Sequence, residues 1–130
     1  MRITKLRLAN WRNFKNVDVD LADRVFLFGP NASGKSNLLD SIRFLRDLST
    51  APGGLQFAVN LRGGVSRLRF LNARNHNRGR VLIAVSVGDD ENPTIWDYEL
   101  HFAREQGGVN RPVVISEVVM PAPKRRHRAR

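Results

Sequence analysis

Eight consecutive residues, Gly29-Pro30-Asn31-Ala32-Ser33-Gly34-Lys35-Ser36, have the spacing G-x-x-x-x-G-K-[ST]. These residue types suit the binding of a polyphosphate. Glycine permits backbone angles that strain other residues and lets a loop wrap close to phosphate. Successive loop N–H groups then converge on phosphate oxygens. A helix that starts at the end of the loop adds its positive N-terminal end. In this pattern Lys35 reaches the β- and γ-phosphates as a point charge, and the Ser36 hydroxyl ligates Mg²⁺. The alternative is an ordinary glycine-rich turn between a strand and a helix.

The flanking residues predict the elements such a loop needs. Arg24-Val25-Phe26-Leu27-Phe28 is a short run, apolar on both faces at its end, as in a buried strand. After Gly34, Leu38, Leu39, Ile42, Leu45 and Leu48 recur at helical spacing, which predicts a helix over Lys35–Leu48 that ends near Ser49. Upstream, Ile3, Leu6 and Leu8 among basic residues suggest one half-buried strand. Val17, Val19 and Leu21 suggest a second, and Asn10–Phe14 is a break between them. Downstream, a short helix is expected between Leu55 and Gly64 and a weak strand over Ser66–Leu71. Three strands, Val81–Val87, Thr94–Phe102 and Val113–Met120, are expected to form an antiparallel meander.

The chain has 130 residues, the length of one domain, and 42% are hydrophobic, which fits a globular class. There is no cysteine, which excludes disulfides, thiolate catalysis and Cys-ligated zinc. His76, His101 and His127 are scattered with no metal spacing. No apolar run approaches the roughly 20 residues of a membrane span, and the N-terminus lacks the apolar centre of a signal peptide, so a cytoplasmic protein with no membrane partner is expected. The tail Lys124–Arg130 carries five basic residues and no acid, half of the net charge of +10. A second basic stretch holds Arg62, Arg67, Arg69, Arg74, Arg78 and Arg80, with no acid between Asp47 and Asp89. Such a field attracts polyanions, DNA and RNA among them, unless it is simply a solvated face.

Read together, NWRNF at 10–14, VFLFG at 25–29 and GPNASGKSNLLDSIRFL at 29–45 resemble the N-terminus of ABC-type ATPases of the SMC, RecF and OLD group. Two residues depart from that pattern: Trp11 stands where the group has Phe, and Ala32 stands where the loop has its middle Gly. RGGVSRLRF, IWDYELHFAR and VVISEVVM are similar to the antiparallel β-subdomain of small ATPases in this group. The resemblance implies an α/β fold: the N-terminal half of an ABC-ATPase head, a P-loop NTPase with an antiparallel β-subdomain. It covers a lobe over residues 1–120; the basic tail at 121–130 does not resemble the family's continuation, and Pro121-Ala122-Pro123 followed by a run of basic residues reads as disordered. The resemblance also implies ATP and Mg²⁺ as ligands, with nucleotide contacts from Arg12, Gly29, Pro30, Asn31, Ala32, Ser33, Gly34, Lys35, Ser36 and Asn37. Read without the resemblance, Arg12 is equally a solvated charge and Asn37 a plain polar residue in a first helical turn. Trp11 and Phe14 read as core or hinge packing, the other option being a base-stacking platform.

A complete ATPase of this group also needs an acidic Walker B pair, a signature motif and a switch histidine, and none follows here. Val113-Val114-Ile115-Ser116-Glu117 is the nearest imitation of a Walker B strand, and Glu117 reads as a residue of the β-subdomain. The chain therefore resembles the first lobe of a larger ATPase, cut before its catalytic half, with no catalytic residue to assign. Three activities follow as expectations. One is nucleotide binding with little turnover; another is nucleic-acid binding through Arg62–Arg80 and the tail. The third is an ATPase completed by a partner chain. Half a head leaves sheet edges and apolar surface uncovered, which favours a homo-oligomer or a completing partner.

Overall fold

The computed structural model describes residues 1–25, 29, 34–50, 52–69, 79–107 and 111–121. In chain order the elements are β1 (Arg2–Trp11), β2 (Phe14–Asp20), α1 (Lys35–Leu48), α2 (Gly54–Asn60), α3 (Val65–Leu68), β3 (Val81–Gly88), β4 (Trp96–Arg104) and β5 (Pro112–Pro121). The strands form one sheet in the order β2-β1-β3-β4-β5, and every pairing in it is antiparallel. The meander expected for the last three strands is present, with β4 starting two residues later than the alternation suggested. The parallel sheet usual in a P-loop fold is not seen among the described residues. The strand expected over Arg24–Phe28 is not confirmed: Arg24 and Val25 are exposed and outside any strand, and residues 26–28 lie outside the described residues.

The helices cover one face of the sheet. Period-2 alternation puts Leu6 and Leu8 of β1, Val81, Ile83 and Val85 of β3, and Leu100 and Phe102 of β4 on that face. Phe44 of α1 fills the centre. It stacks on Phe102 with centroids 5.6 Å apart and meets Trp11 edge-on at 5.1 Å. The buried stripe of α1 is rotated from the one its leucines predict. Phe44 is fully buried, Leu38, Ile42, Leu45 and Leu48 are partly buried, and Leu39 is exposed. The aromatic ring offers the largest apolar area, so it sets which face of the helix turns inward.

The weak strand expected over Ser66–Leu71 is instead the single helical turn α3. Residues 70 and 71 lie outside the described residues. Gly64, with φ of 101°, starts the turn, and its spacing of three brings Val65 and Leu68 together in the core. Only at Arg69 does the chain become extended, in an isolated bridge to Trp11. No described helix is long and apolar enough to cross a membrane.

Candidate functional site

The β1–β2 turn, α1 and the two ends of the glycine loop meet at one end of the sheet. The turn is tighter than the sequence suggested, because Trp11 and Phe14 are already paired and only Arg12 and Asn13 lie between them. Asn10 and Arg12 both adopt left-handed φ, 55° and 53°, a conformation costly for a non-glycine residue unless its surroundings fix it. Here they do. The Arg12 backbone N–H donates to the Leu68 carbonyl at 2.5 Å, and the Trp11 indole N–H donates to the Asn37 carbonyl at 2.9 Å. The Asn37 Nδ2 donates to Asn13 Oδ1 at 3.0 Å. Trp11 is fully buried, so it belongs to the core and is not a base-stacking platform.

Gly34 ends the loop with φ of 93° immediately before α1. A Cβ there would stand 2.5 Å from Asn13 Nδ2 and 2.9 Å from the Phe14 ring. The second glycine of the motif is thus needed for its angle and also for the close approach of the turn. Lys35, the first residue of α1, donates from Nζ to the Gly29 carbonyl at 2.5 Å, which ties the two ends of the loop together. Ser36 is exposed in the first helical turn. Pro30, Asn31, Ala32 and Ser33 lie outside the described residues.

Beside the loop, an ion-pair network runs along α1. Asp40, Phe44 and Asp47 share one stripe at i, i+4 and i+7. The Arg62 guanidinium lies along it, 5.2 Å above the Phe44 ring. Arg62 donates from Nε and Nη2 to the two oxygens of Asp40 at 2.9 and 3.0 Å, from Nη2 to Asp47 at 2.9 Å, and from Nη1 to the Ala58 carbonyl at 2.8 Å. Arg12 Nη2 donates to the same Asp40 at 2.9 Å. The sequence reading missed this network and counted Arg62 with the basic surface. Its side chain is only 7% exposed, and its donors are taken up by Asp40, Asp47 and the Ala58 carbonyl. The signal that was available is Asp40 and Asp47 on one helical face.

Burial by itself raises the pKa of Asp40, but the hydrogen bonds from Arg62 and then Arg12 outweigh it, and the carboxyl titrates below its ordinary value of 3.8. A depressed pKa contributes stability that is present above the unfolded value and lost as pH falls through the folded one. Asp40→Asn should therefore flatten the fall of the melting temperature as pH drops below about 4, by a fraction of one bound proton. Thermal melts across that range check it, and parallel wild-type and variant curves would show that Asp40 gains nothing from its partners.

Charge is polarised along the strands. The loop end carries Arg69, Arg80 and Arg104, while Arg111 there is paired with Glu105 at 2.6 and 3.1 Å, and two adjoining cavities of about 300 and 430 Å³ share Arg104 and Glu105 in their lining. Arg69 completes the first and Arg80 the second. At the far end Asp20, Asp89 and Asp90 line a cavity of about 330 Å³ with Arg2. Arg74, Arg78, His76 and the tail at 122–130 lie outside the described residues. His101 contacts Glu99, and Glu117 accepts from the Tyr98 hydroxyl at 2.9 Å on β5, as a residue of the β-sheet. Burial, then that bond, raises the Tyr98 pKa. Among the described residues no three His, Asp or Glu side chains converge as a metal site.

The sequence around this site is similar to known proteins. The family model described as "AAA domain, putative AbiEii toxin, Type IV TA system" matches residues 24–124. The DNA replication and repair protein RecF of Corynebacterium jeikeium is 32% identical over 85 residues, 65% of this chain and 20% of that protein. RecF of Chlamydia caviae is 48% identical over 46 residues, covering 35% and 12%. The endonuclease GajA of Bacillus cereus is 38% identical over 47 residues, covering 36% and 8%. The chain belongs to the AAA-type P-loop ATPases of the RecF/SMC/OLD-like group. It spans a fifth or less of the length of these relatives.

Proposed function

We propose that this chain binds ATP with Mg²⁺ through Gly29–Ser36, as the N-terminal lobe of a RecF-like ATPase head in the cytoplasm. The observation that carries the reading is the closure of the loop ends at the start of α1, Lys35 on Gly29 and Gly34 against Asn13, within a chain of this family. In this reading the phosphates are held by the loop from Gly29 to Gly34, with Lys35 turning from the Gly29 carbonyl to them and Ser36 on Mg²⁺. Arg12 contributes from the turn: its Nε is buried with no partner among the described residues, while Asp40 steadies the guanidinium. Asn37 holds the turn to the helix through Asn13.

These groups bind ground state and transition state alike, and equal binding does not accelerate chemistry. A water-orienting carboxylate and donors for the departing γ-phosphate have no assigned residue here. Pro121 still belongs to β5, so the basic tail begins at 122, one residue later than expected, and the missing catalytic groups come from another segment or chain. Calorimetry with Mg-ATP should give a one-site isotherm, and phosphate release from the same sample should not exceed that of Lys35→Ala. No heat of binding, or turnover of about one per second lost in that variant, would overturn one half of the proposal each.

The cavities at Arg69, Arg80 and Arg104 favour a second reading, weak nucleic-acid binding without sequence preference. Arg62 takes no part in it, being paired with Asp40 and Asp47. Each phosphate contact releases about 0.9 counterion on duplex DNA, so truncation after Met120 should flatten the slope of log affinity against log salt by up to about four. Anisotropy titrations from 50 to 200 mM salt measure it; an unchanged slope removes the tail from the interface.

A further inference from the structure

Among the described residues, β5 lies at the edge of the sheet and pairs with β4 alone. Its sequence is Pro112-Val-Val-Ile-Ser-Glu-Val-Val-Met-Pro121. Six of its side chains are apolar and exposed: Val113, Val114, Ile115, Val118, Val119 and Met120, at 37–62%. Long, flat, apolar edges recruit another strand, and soluble proteins usually blunt them with lysine or with charge turned inward. This edge has no Lys or Arg, and its one acid is held by Tyr98.

We propose that the occupant of this edge is β5 of a second copy, running antiparallel. The motive is the near-palindrome of the strand about Ser116-Glu117. A two-fold pairing of Val114 with Val119 and of Val113 with Met120 sets two apolar residues on each side of the axis against two of the other copy. Proline meets proline at both ends, where neither has an N–H to donate. Counted through the bulge at Ile115, Ser116 falls opposite Val118 and the two Glu117 meet at the two-fold axis, a like-charge contact in which each carboxylate accepts from its own Tyr98 hydroxyl.

The bulge in β5 supplies the facing that this register needs. Residues directly opposite in an antiparallel pair share a face. In an uninterrupted strand residues 114 and 119 point to opposite faces, because the side-chain period is two. The register with β4 shifts between His101 and Phe102, where Val114 pairs with Phe102 and Ser116 with His101, leaving Ile115 as the extra residue. Val114 and Val119 consequently sit opposite Phe102 and Tyr98, on one face. Val113 and Met120 sit opposite Ala103 and Asp97, on the other. Both outer pairs of the dimer therefore match, and a second sheet continues the first across the two-fold axis.

The native chain has no cysteine, so engineered thiols report the register directly. Opposed residues in an antiparallel pair have Cα atoms about 4.5–5.5 Å apart, within disulfide reach. Val114→Cys and Val119→Cys chains, mixed and mildly oxidised, should cross-link at least about tenfold faster than either alone. Sedimentation of the wild type should show a dimer, and Val119→Lys should weaken it at least about tenfold, with calorimetry for Mg-ATP and the melting curve reporting that the chain stays folded. A wild-type monomer at about 100 µM would overturn the proposal and leave the edge to a different protein. So would a dimer that survives both Val114→Lys and Val119→Lys, or cross-links that form as fast within either single variant as in the mixture.

Discussion

Lys35→Ala is expected to weaken Mg-ATP binding at least about 100-fold while leaving the fold in place. A hydrogen bond to a charged partner contributes about 1.5–3 kcal/mol, and the ammonium group meets two phosphates at once. About 3 kcal/mol corresponds to a little over two decades in the dissociation constant. The fold should survive, because the Lys35 side chain is only half-buried and its bond within the chain goes to the Gly29 carbonyl. Losing that bond frees the first glycine of the loop but touches nothing in the core, where Phe44, Trp11 and Phe102 pack. Calorimetry gives the affinity, and circular dichroism melts give the fold. A variant with wild-type affinity would remove the loop from nucleotide binding. A variant that melts far below the wild type would mean that the closure between Lys35 and Gly29 is structural.

Arg62→Ala should be the most destabilising single change among the charged residues, by about 2–4 kcal/mol, or roughly 10 °C in melting temperature. Removing one member of a buried ion pair leaves the others desolvated without compensation. In this variant Asp47 would retain Arg46, its neighbour at the surface, and Asp40 would retain Arg12. Partial exposure of Asp40 keeps the figure below that of a wholly buried pair. The loss also removes a cation from the face of Phe44. Arg62→Lys should recover only part of the stability, since a single ammonium group cannot reproduce the paired contacts to Asp40. Chemical denaturation of both variants measures the effect. Stability within about 0.5 kcal/mol of the wild type would place Arg62 with the solvated charges. Nucleotide affinity should fall in Arg62→Ala as well, because Asp40, which steadies Arg12, loses its main partner.

These two residues mark where the sequence was sufficient and where it was not. The spacing of Gly29, Gly34, Lys35 and Ser36 is local, and the backbone angle at Gly34 follows from its residue type. The boundaries of α1 were equally legible, because helical periodicity and the Pro52-Gly53-Gly54 break lie within one stretch of chain. The meander of β3, β4 and β5 followed from close spacing and turn residues. Each of these depends on neighbours a few residues apart, the range over which propensity and periodicity act.

Tertiary structure alone decided the rest. The face of α1 that turns inward was set by Phe44 finding Trp11 and Phe102, which are distant in sequence. Val65 and Leu68 form a helical turn because the core accepts both on one side, against an alternation that read as a strand. Arg62 was indistinguishable from the other arginines of its stretch until Asp40 and Asp47, 22 and 15 residues earlier, came beneath it. The placement of β1 between β2 and β3 leaves β5 at the edge, and the bulge at Ile115 turns Val114 and Val119 to one face. A charge has no fixed role until its partner is near, and an apolar strand has no fixed role until its second edge is covered or open. Both depend on contacts between residues far apart along the chain.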